Sequence, residues 1–563
     1  MEQFEIIIDN QKVKVNSNQT ILEAAKSIGI NIPTLCYLKD INEPASCRVC
    51  VVEVEGARNL VTSCNTKVKP NMVVNTTSER VLNARKTTVE LLLSNHNKNC
   101  LSCSRNLNCT LQKLSKDLHC DADRFKGEVT ESKLDFTSPS IVRDQSKCIL
   151  CGRCVAVCSS RQGVDAIGKI GRGFNTTIGC AFEKGLGEST CVGCGQCINV
   201  CPTGALKEVN DINKVLGFLN DKEVETVVQV APSVRVALAE EFGAEIGTFC
   251  EGKMVSALRK LGFNHIYDVN VAADFTIVEE SKELLDRINN KTAPLPMFTS
   301  CCPGWYKFAE EFAPEFIPNI STCKSPNEML GSLVKYYFEK QNKKVRIVSI
   351  MPCTAKKHEI RRNGEIDANL TTRELAELIR HKNIDFNALN DEKFDNPFGT
   401  YSGAALIFGA TGGVMEAALR TANKYLNKDE KPADIEVVRN SIGRKEVEIK
   451  TDTITLKVAI VNGLQNAKNL LKDIKEGKAD FHFIEVMACP GGCVNGGGQP
   501  IVDYSKTPLK EVIKKRTAPL YNEDSKNSVR ASHENKAVLE VYKNLLNNDE
   551  ELIHKLLHIH GTK

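Results

Sequence analysis

Long apolar runs, an excess of one charge and low-complexity segments are all missing from this sequence. No stretch approaches the roughly 18 consecutive apolar residues that a membrane-spanning helix needs. The opening residues, MEQFEIIIDNQ, lack the basic and apolar regions of a secretion signal, so we expect a cytoplasmic protein. A net charge of +4 over 563 residues gives no indication of binding to nucleic acid or to a membrane surface.

Cysteine is the component that departs from an ordinary composition. Hydrophobic residues make up 42% of the chain and charged residues 26%, as in typical globular proteins, but there are 24 cysteines. Without an export signal these thiols are expected to stay reduced, which disfavours a disulfide framework. Thiolates at short, regular spacings in a reducing compartment usually bind metal, so the sequence predicts several metal sites.

The chain is several times longer than a usual domain, so we predict several domains rather than one core. The N-terminal part is mostly β, with a hairpin-like turn at Asp9-Asn10 and a short helix that begins near Thr20. Thr76 and Glu79 form a capping-box pattern ahead of a longer helix. The predicted domains are 1–78, 79–125, 135–210, 211–523 and a helical C-terminal tail, 524–563, that should pack on the surface.

The second half of the chain changes character at about residue 211. Buried-strand runs such as TVVQVA, KVRIVSI, LKVAIVNG and FHFIEVM alternate with helical segments. The helical segment LQNAKNLLKDIKEG ends at Gly477, a good C-cap, and a strand returns after it. This βαβ pattern predicts an α/β fold with a parallel sheet.

Two cysteine runs share the spacing C-x2-C-x2-C-x3-C, and Pro202 follows the second. In such pairs, three thiolates of one run hold one iron–sulfur cube and the fourth reaches over to the other cube. Zinc would instead favour four ligands in two C-x2-C pairs. We therefore assign one 4Fe–4S cluster to Cys148, Cys151, Cys154 and Cys201, and a second to Cys158, Cys191, Cys194 and Cys197.

A third cysteine group lies in the β-rich N-terminal unit with the spacing C-x10-C-x2-C-x13-C. Its first loop is longer than that of the plant-type C-x4-C-x2-C pattern. Four thiolates on a small β scaffold still suit a 2Fe–2S cluster, and a structural zinc is the alternative. The candidate ligands are Cys36, Cys47, Cys50 and Cys64.

Between these groups, His96 lies four residues before the first of three further cysteines, Cys100, Cys103 and Cys109. Three cysteines leave one coordination position vacant, which the imidazole could fill. A lone histidine is otherwise more often a satisfied polar residue, here at a solvated helix end. Cys120 is expected to lie outside the ligand set.

Three separated cysteine segments follow predicted strands in the second half: TSCCPGW, MPCTAKKHE and MACPGGCVNGGGQP. Loops at the carboxyl ends of parallel strands converge on one crevice, so distant residues can share a site. The glycine-rich stretches GATGGV and VNGGGQP lack the Gly-Lys-Ser/Thr ending of a phosphate loop, which favours close approach of the backbone to a bound group. No dinucleotide fingerprint follows a predicted strand, so we do not expect direct use of NAD.

These three segments resemble the signature motifs of FeFe-hydrogenases, in the same order and spacing. The N-terminal units resemble the accessory cluster domains of large hydrogenases and of the iron–sulfur subunit of respiratory complex I, including its cluster with one histidine and three cysteines. The resemblance implies a multidomain α+β and α/β fold. It would comprise a β-grasp 2Fe–2S ferredoxin-like domain, a small 4Fe–4S domain with His96 as ligand, a bacterial 2×(4Fe–4S) ferredoxin-like domain and a large α/β H-cluster domain.

The resemblance also implies the ligands of the H-cluster, which joins a 4Fe–4S cube to a di-iron subsite with carbonyl, cyanide and dithiolate ligands. Cys493 would bridge the two parts. Lys356 and Ser233 would each contact a cyanide, and Met351 and Met487 would form apolar walls. The implied ligands of the cube are Cys302, Cys353, Cys489 and Cys493.

The proton path is implied in the same way. Cys301 adjoins the ligand Cys302 and would donate the proton, which suits a thiol because its ordinary pKa of about 8.5 allows transfer near neutrality. Helical spacing would bring two acidic residues and an arginine to one face; a solvated charged helix face is the alternative. The implied path comprises Cys301, Glu280, Ser321, Glu283 and Arg287.

Several neighbouring residues receive other interpretations. Cys120, Cys180, Cys250 and Cys323 remain outside every proposed ligand set and are expected to be mostly small buried hydrophobic residues. Lys357 is expected at the surface, and Glu359 is interpreted as supporting the site or the fold. Asn327 departs from the resemblance, because a glutamine was expected there near the subsite.

The sequence thus predicts a hydrogenase that reversibly combines two protons and two electrons into hydrogen. The resemblance implies electrons from ferredoxin or a similar one-electron carrier through the accessory clusters, and maturation proteins for the di-iron subsite. The alternatives are an iron–sulfur subunit of an NADH-linked complex, a sensory homologue and a cluster-assembly relative. The three C-terminal segments, Cys301 and the intact TSCCPGW context argue against them in turn.

Overall fold

The computed structural model describes residues 3–395, 397–426, 435–439 and 442–559. The chain forms two compact units, which are treated separately below. The first comprises Met1–Ser160, Asp165–Ser189 and Val200–Lys207, and the second comprises Arg161–Val164, Thr190–Asn199 and Glu208–Lys563. Within the described residues, no helix has both the length and the apolar character needed to cross a membrane.

The first unit contains short strands and few helices, in keeping with its cysteine-rich loops. Its elements in chain order are β1 (Gln3–Ile8), β2 (Gln11–Asn16), α1 (Ile21–Ser27), β3 (Val51–Val54), β4 (Val61–Thr62), β5 (Val73–Asn75), α2 (Glu79–Ser94), α3 (Thr110–Asp117), β6 (Leu134–Asp135), β7 (Ile141–Asp144), α4 (Arg153–Ala156), β8 (Gly168–Ile170) and β9 (Thr177–Gly179). Helix α5 (Gln196–Val200) and strand β10 (Leu206–Glu208) each include residues of both units.

The N-terminal sheet has the strand order β2-β1-β5-β3-β4, with β1 parallel to β5 and the other pairs antiparallel. Asp9 and Asn10 both have positive φ, 45° and 65°, as a tight hairpin requires. Thr20 caps α1 in a capping box with Glu23. The predicted capping box of Thr76 and Glu79 is wrong, because Ser78 is the N-cap of α2. The N–H and the hydroxyl of Thr76 donate hydrogen bonds to the Asp9 carboxylate instead.

The second unit alternates strands and helices. Its elements are α6 (Ile212–Asn220), β11 (Glu225–Val230), α7 (Glu251–Leu261), β12 (His265–Asp268), α8 (Asn270–Asn290), β13 (Met297–Phe298), α9 (Pro303–Phe312), α10 (Pro326–Glu339), β14 (Val345–Met351), α11 (Lys356–Asn363), β15 (Ala368–Thr371), α12 (Thr372–His381), α13 (Gly403–Leu406), α14 (Gly413–Leu426), β16 (Arg444–Lys450), β17 (Thr455–Asn462), α15 (Leu464–Lys475), β18 (Phe483–Met487), α16 (Leu509–Lys526), α17 (Lys536–Asn544) and α18 (Glu550–Leu557).

These strands form two four-stranded sheets, where the sequence predicted a single parallel sheet. The sheet β12-β11-β14-β15 is parallel throughout. In β13-β18-β17-β16 only the edge strand β16 is antiparallel. The predicted βαβ unit is confirmed as β17-α15-β18. Each sheet has its own apolar core, around Val228 and Ile350 in one and around Ile460 and Phe483 in the other, which keeps the two sheets distinct.

The C-terminal segment is part of this structure rather than a surface tail. Helix α16 runs through the boundary expected between residues 523 and 524. Val538, Tyr542 and Leu557 are buried in the core of the first of the two sheets. Apolar side chains at helical spacing, not apparent in a segment so rich in charge, hold helices α17 and α18 against that core.

The close approach of Gly413, at the start of helix α14, to Ile407 provides a test of backbone packing in the second unit. A Cβ at Gly413 would lie 1.8 Å from the carbonyl oxygen of Ile407. We expect Gly413→Ala to cost on the order of 1–3 kcal/mol, because the backbone must shift to relieve the overlap. Gly217→Ala is the matched control: this helical glycine has nothing within 4 Å, so alanine should stabilise slightly. Thermal unfolding of both variants checks the contrast, and equal midpoints would contradict it.

Candidate active site

The four predicted ligand cysteines of the second unit all follow parallel strands. Cys302 is the N-cap of α9, shortly after β13, and Cys353 lies two residues beyond β14. Cys489 lies two residues beyond β18, and Cys493 opens a short 3-10 turn. Both sheets therefore send strand ends to one place, which confirms the predicted position of each segment after a strand.

The thiols of these residues lie close enough to influence one another. Burial, and then the neighbouring Cys302, raise the pKa of Cys353 to about 12. Burial and then Cys353 hold the pKa of Cys489 far above its ordinary range. The pKa of Cys493 is raised by burial, then by Cys302 and Cys353. The structure thus brings all four thiols together, and all four are free.

The surroundings suit a bulky soft-metal group. The Ala488 N–H donates to the Cys302 sulfur at 3.4 Å, as backbone amides do around thiolate ligands. A Cβ at Gly492 would lie 2.7 Å from the Thr411 nitrogen and 2.9 Å from the Met487 sulfur. Glycine therefore lets the backbone approach the site closely, and the donor set fits an iron–sulfur cluster.

Lys356 is buried beside this site. Its Nζ donates to both Glu359 oxygens at 2.8 Å, to Ser325 Oγ at 2.8 Å and to the Cys301 carbonyl at 3.3 Å. Glu359, left open by the sequence, is thus its buried counter-ion. Asn327 donates to Glu359 at 3.5 Å and accepts from Gln229 at 2.8 Å, which extends the same network.

The neighbouring Lys357 contradicts its expected place at the surface. Its side chain is 1% exposed and pairs with Asp211 at 3.0 Å and with Glu374 at 3.1 Å. The two carboxylates compensate the buried ammonium, which the sequence could not show because both partners are distant in the chain.

The other residues expected at the site are buried at or just beyond the ends of strands. Ser233 follows β11, is fully buried, and its Oγ donates to the Gly409 carbonyl at 3.4 Å. A Cβ at Gly409 would lie 2.3 Å from that Oγ. Met351 and Met487 end β14 and β18, each 3% exposed. Their thioether side chains are apolar and buried, as the prediction of apolar walls requires.

The residues of the predicted proton path form a connected series. Burial, and then the nearby Glu280, raise the pKa of the Cys301 thiol. Glu280 accepts from Ser300 at 3.4 Å and is also influenced by Ser321. The Ser321 hydroxyl donates to Glu283 Oε2 at 2.9 Å, and Arg287 Nε donates to Glu283 at 3.1 Å.

Two adjacent buried glutamates of α8 have opposite character. Glu280 is 1% exposed, and burial followed by repulsion from Glu283 raises its pKa to about 8. Glu279 is also buried, but hydrogen bonds from His558 and Tyr542 and the charge of Lys282 outweigh burial and lower its pKa to about 2. At neutral pH, Glu280 therefore carries a proton and Glu279 a negative charge.

In the first unit, the four cysteines of the N-terminal group are close together. Hydrogen bonding to Cys47 lowers the pKa of Cys36 to about 5, and hydrogen bonding to Cys64 lowers the pKa of Cys50 to about 7. The pKa values of Cys47 and Cys64 are raised by their thiol partners. Four mutually interacting thiols on the sheet form one potential metal site.

A cavity of the first unit is lined by Cys148, Cys151, Cys154 and Cys201, the set that the crossed assignment predicted for one cluster. Burial raises the pKa of Cys148 to about 11 and of Cys151 to about 12.

The remaining cysteines of the two runs belong to different units, Cys158 to the first and Cys191, Cys194 and Cys197 to the second, so their shared cluster stays a prediction. Within the second unit, Cys194 contributes to the raised pKa of Cys489. Its Cβ lies 3.9 Å from the point where a Cβ of Gly304 would stand. This contact, unforeseen in the sequence, brings an accessory cysteine to the edge of the main site.

His96 and its three cysteines receive partial support. Cys103 is close enough to contribute to the raised pKa of Cys109, after burial. Burial lowers the pKa of His96, which keeps its imidazole neutral as a metal ligand must be, and its Nδ1 has no hydrogen-bond partner in the described structure.

Glu485 is a site residue that the sequence reasoning missed. It is fully buried in β18, and its carboxylate accepts from the N–H groups of Gly412 and Met415 at 2.7 Å. It thereby fixes the glycine-rich loop at the start of α14. A single carboxylate in the apolar run FIEVM was the signal that could have revealed it.

Comparison with known proteins adds family matches along most of the chain. Residues 224–497 match the family model "Iron only hydrogenase large subunit, C-terminal domain", and 510–563 match "Iron hydrogenase small subunit". Residues 1–79 match a 2Fe-2S iron-sulfur cluster binding domain. Residues 85–124 match the NADH-ubiquinone oxidoreductase-G iron-sulfur binding region, and 138–207 match the ferredoxin-like domain of NADH-quinone oxidoreductase subunit 3.

Full-length relatives are also found. The chain is 46% identical to the NADP-reducing hydrogenase subunit HndD of Solidesulfovibrio fructosivorans, over 100% of this chain and 99% of that protein. It is 41% identical to iron hydrogenase 1 of Clostridium pasteurianum, over 99% and 100%. A solved FeFe-hydrogenase structure, from work on oxygen inactivation of the H cluster, superposes with a TM-score of 0.55 at 37% identity, covering 62% of this chain and 98% of that one.

The two glutamates of α8 can be distinguished by infrared difference spectroscopy. Because the raised pKa of Glu280 is about 8, its carboxyl should be protonated at pH 6 and ionised at pH 10. Wild type minus Glu280→Gln should therefore show a protonated-carboxyl C=O band below pH 8 that disappears above it. Glu279→Gln, the matched control, should leave that band in place because Glu279 is already ionised. Absence of that pH-dependent band from the wild type minus Glu280→Gln difference would contradict the assignment.

Proposed function

Because the chain belongs to the iron-only hydrogenase family, we propose that it reversibly combines two protons and two electrons into hydrogen at an H-cluster. It is an oxidoreductase with 2Fe–2S and 4Fe–4S clusters in addition to the H-cluster. The observation that carries the proposal is the gathering of four free thiols from three distant strand-end loops. When bound, the H-cluster supplies the iron site at which protons and electrons combine.

We assign the cube of the H-cluster to Cys302, Cys353, Cys489 and Cys493, with Cys493 as the bridge to the di-iron subsite. Buried thiols with raised pKa values need a strong cationic partner to ionise, and a metal cluster provides it. Cluster ligation therefore explains why these thiols are held together in free form.

Polar and apolar side chains would complete the subsite. Lys356 supplies a buried positive charge that Glu359 partly neutralises. Its Nζ also donates to the Cys301 carbonyl, so the charge lies close to the Cys301 backbone. The Ser233 hydroxyl makes only a long hydrogen bond, 3.4 Å, to the Gly409 carbonyl, so it could donate to a bound anionic ligand instead. Met351 and Met487, both buried, would supply apolar walls that exclude water from the bound group.

Protons reach the site, in this proposal, through side chains of the second unit. The Cys301 thiol holds the proton nearest the reacting group, since burial keeps it protonated. Glu280 holds the next one, because its raised pKa leaves it neutral at pH 7. Ser321 connects to Glu283, whose charge Arg287 stabilises.

The accessory cysteines would hold the groups that exchange electrons with the outside. The 2Fe–2S cluster is assigned to Cys36, Cys47, Cys50 and Cys64, and one 4Fe–4S cluster to His96, Cys100, Cys103 and Cys109. The other two are assigned to Cys148, Cys151, Cys154 and Cys201, and to Cys158, Cys191, Cys194 and Cys197. The closeness of Cys194 to Cys489 favours the last of these as the immediate electron donor.

Two kinds of redox partner are supported. Ferredoxin, or a similar one-electron carrier, fits a chain whose accessory sites each accept single electrons. An NADP-linked partner subunit fits the 46% identity to HndD, whose name makes it a subunit of an NADP-reducing enzyme. We also propose dedicated maturation proteins for the di-iron subsite and a reducing, cytoplasmic setting, since all 24 cysteines are free.

Electron-donor assays distinguish these partners. We expect purified matured protein to evolve hydrogen with reduced ferredoxin and not with NADPH alone, because no dinucleotide fingerprint is present in the sequence. Methyl viologen serves as the control for an active site in working order. Turnover with NADPH alone would overturn this choice of carrier, whereas activity with viologen and not with ferredoxin would favour a partner subunit.

Cys301→Ala tests the proposed proton donor. The variant should keep its iron and its infrared carbonyl and cyanide bands but lose at least about 99% of hydrogen evolution, because a positioned proton donor contributes roughly 100-fold or more. Cys120→Ala is the control, since that half-buried thiol of the first unit belongs to no proposed site. Normal turnover by Cys301→Ala would refute its role, and absence of the bands from matured wild type would refute the H-cluster assignment.

A further inference from the structure

The last described residues of the chain pair with the strand-like segment that carries Ser321. The Lys324 N–H donates to the Leu557 carbonyl at 2.8 Å, and the Ile559 N–H donates to the Thr322 carbonyl at 2.7 Å. Cys323 and His558 thus form an antiparallel bridge. This pairing fixes His558, which is 8% exposed, against helix α8.

The imidazole of His558 joins two carboxylates of α8. Its Nδ1 lies 2.9 Å from Thr322 Oγ1, and its Nε2 lies 3.3 Å from Glu279 Oε2. Thr322 Oγ1 also lies 3.1 Å from Glu283 Oε2, within hydrogen-bond distance. A continuous series of hydrogen bonds therefore runs from Ser321 through Glu283, Thr322 and His558 to Glu279.

The bonding capacity of this series allows two arrangements of its protons. If the Thr322 hydroxyl donates to Glu283, then Nδ1 must donate to Thr322, and Nε2 must also be protonated to face Glu279. If the hydroxyl instead donates to Nδ1, a neutral ring protonated at Nε2 satisfies Glu279. The two arrangements differ by one proton on His558, and histidine is the side chain that exchanges a proton near neutral pH.

The outer end of this series adjoins an exposed side chain. Glu279 pairs at 2.9 Å with Lys282, whose side chain is 54% exposed. Ligand atoms of Glu283, Cys323 and His558 lie within 4.8 Å of one another, so the cluster is compact. The charged and titratable groups that face or adjoin the imidazole come from α8, the 322–324 segment, α17 and α18: Glu279, Lys282, Glu283, Cys323, Lys324, Tyr542 and His554.

We propose that His558 is the relay residue that exchanges protons between solvent and Glu283, so that the C-terminal segment completes the proton path. This inference rests on the proposed function and extends it outward from Glu283. In hydrogen evolution, the doubly protonated ring gives its Nδ1 proton to the Thr322 oxygen while the hydroxyl proton moves to Glu283, which leaves the ring neutral with its proton on Nε2. Uptake of one proton from solvent, after rotation of the ring exposes the bare nitrogen, restores the doubly protonated ring and its starting charge.

His558→Gln, Thr322→Val and Lys555→Ala form a matched set for the test in matured full-length enzyme. Glutamine keeps hydrogen-bonding groups but exchanges no proton near pH 7, and valine keeps the shape of threonine without its hydroxyl. Lys555 is an exposed residue of helix α18, which directly precedes His558, and serves as the control. We expect hydrogen evolution to fall about tenfold or more in the first two variants and to stay unchanged in Lys555→Ala.

A measurement without turnover separates relay from structural support. After transfer to D2O, the C=O band of protonated Glu280 should shift more slowly in His558→Gln and Thr322→Val than in wild type. Their carbonyl and cyanide bands and thermal midpoints should match wild type. Imidazole added to His558→Ala should restore part of the rate, as expected for a missing proton carrier.

Wild-type rates of evolution and deuterium exchange in both His558→Gln and Thr322→Val would overturn the relay. So would loss of activity accompanied by altered carbonyl and cyanide bands, which would mean that His558 only supports the fold. Lack of these bands in matured wild type would instead refute the proposed function, independently of His558.

Discussion

The second unit is organised around the burial of four thiols at one point. Burial, and then the neighbouring Cys302, raise the pKa of Cys353 to about 12, which corresponds to on the order of 4 kcal/mol against the thiolate. Cys489 and Cys493 have the same tendency, and mutual repulsion makes a cluster of bare thiolates untenable. The polypeptide therefore holds a donor set whose charge only a cationic group can balance, and it does so by converging the ends of strands from two sheets.

This constraint explains features that would otherwise seem unrelated. Because the ligand-bearing loops must approach closely, Gly409 and Gly492 occur where any side chain would overlap Ser233 or Met487. Glu485, buried in an apolar strand, accepts hydrogen bonds from the Gly412 and Met415 N–H groups and so fixes the loop before α14. Each arrangement carries a local cost, which the rest of the core sustains.

The sequence predicted the strand-end positions of the cysteines because motif spacing and strand periodicity are local properties. It also predicted the set Cys148, Cys151, Cys154 and Cys201, which lines one cavity. It did not predict two sheets in place of one, the burial of Lys357 or the cap at Ser78. The burial of Lys357 and the cap at Ser78 depend on partners that are distant in the chain. Lys357 forms ion pairs with Asp211 and Glu374, and Thr76 forms hydrogen bonds with Asp9. Local pattern carries no information about such competition.

The same distinction separates the two glutamates of α8. Glu279 and Glu280 are adjacent and both buried, yet only Glu279 receives hydrogen bonds from His558 and Tyr542, which come from the far end of the chain. Glu280 faces Cys301 and has one carboxyl oxygen with no partner among the described residues, so burial dominates and it stays neutral. A neutral carboxyl inside and an ionised one outside create a gradient of proton affinity along one helix. Proton transfer inward then requires no isolated buried charge, because each carboxylate that ionises has a cation or donor beside it.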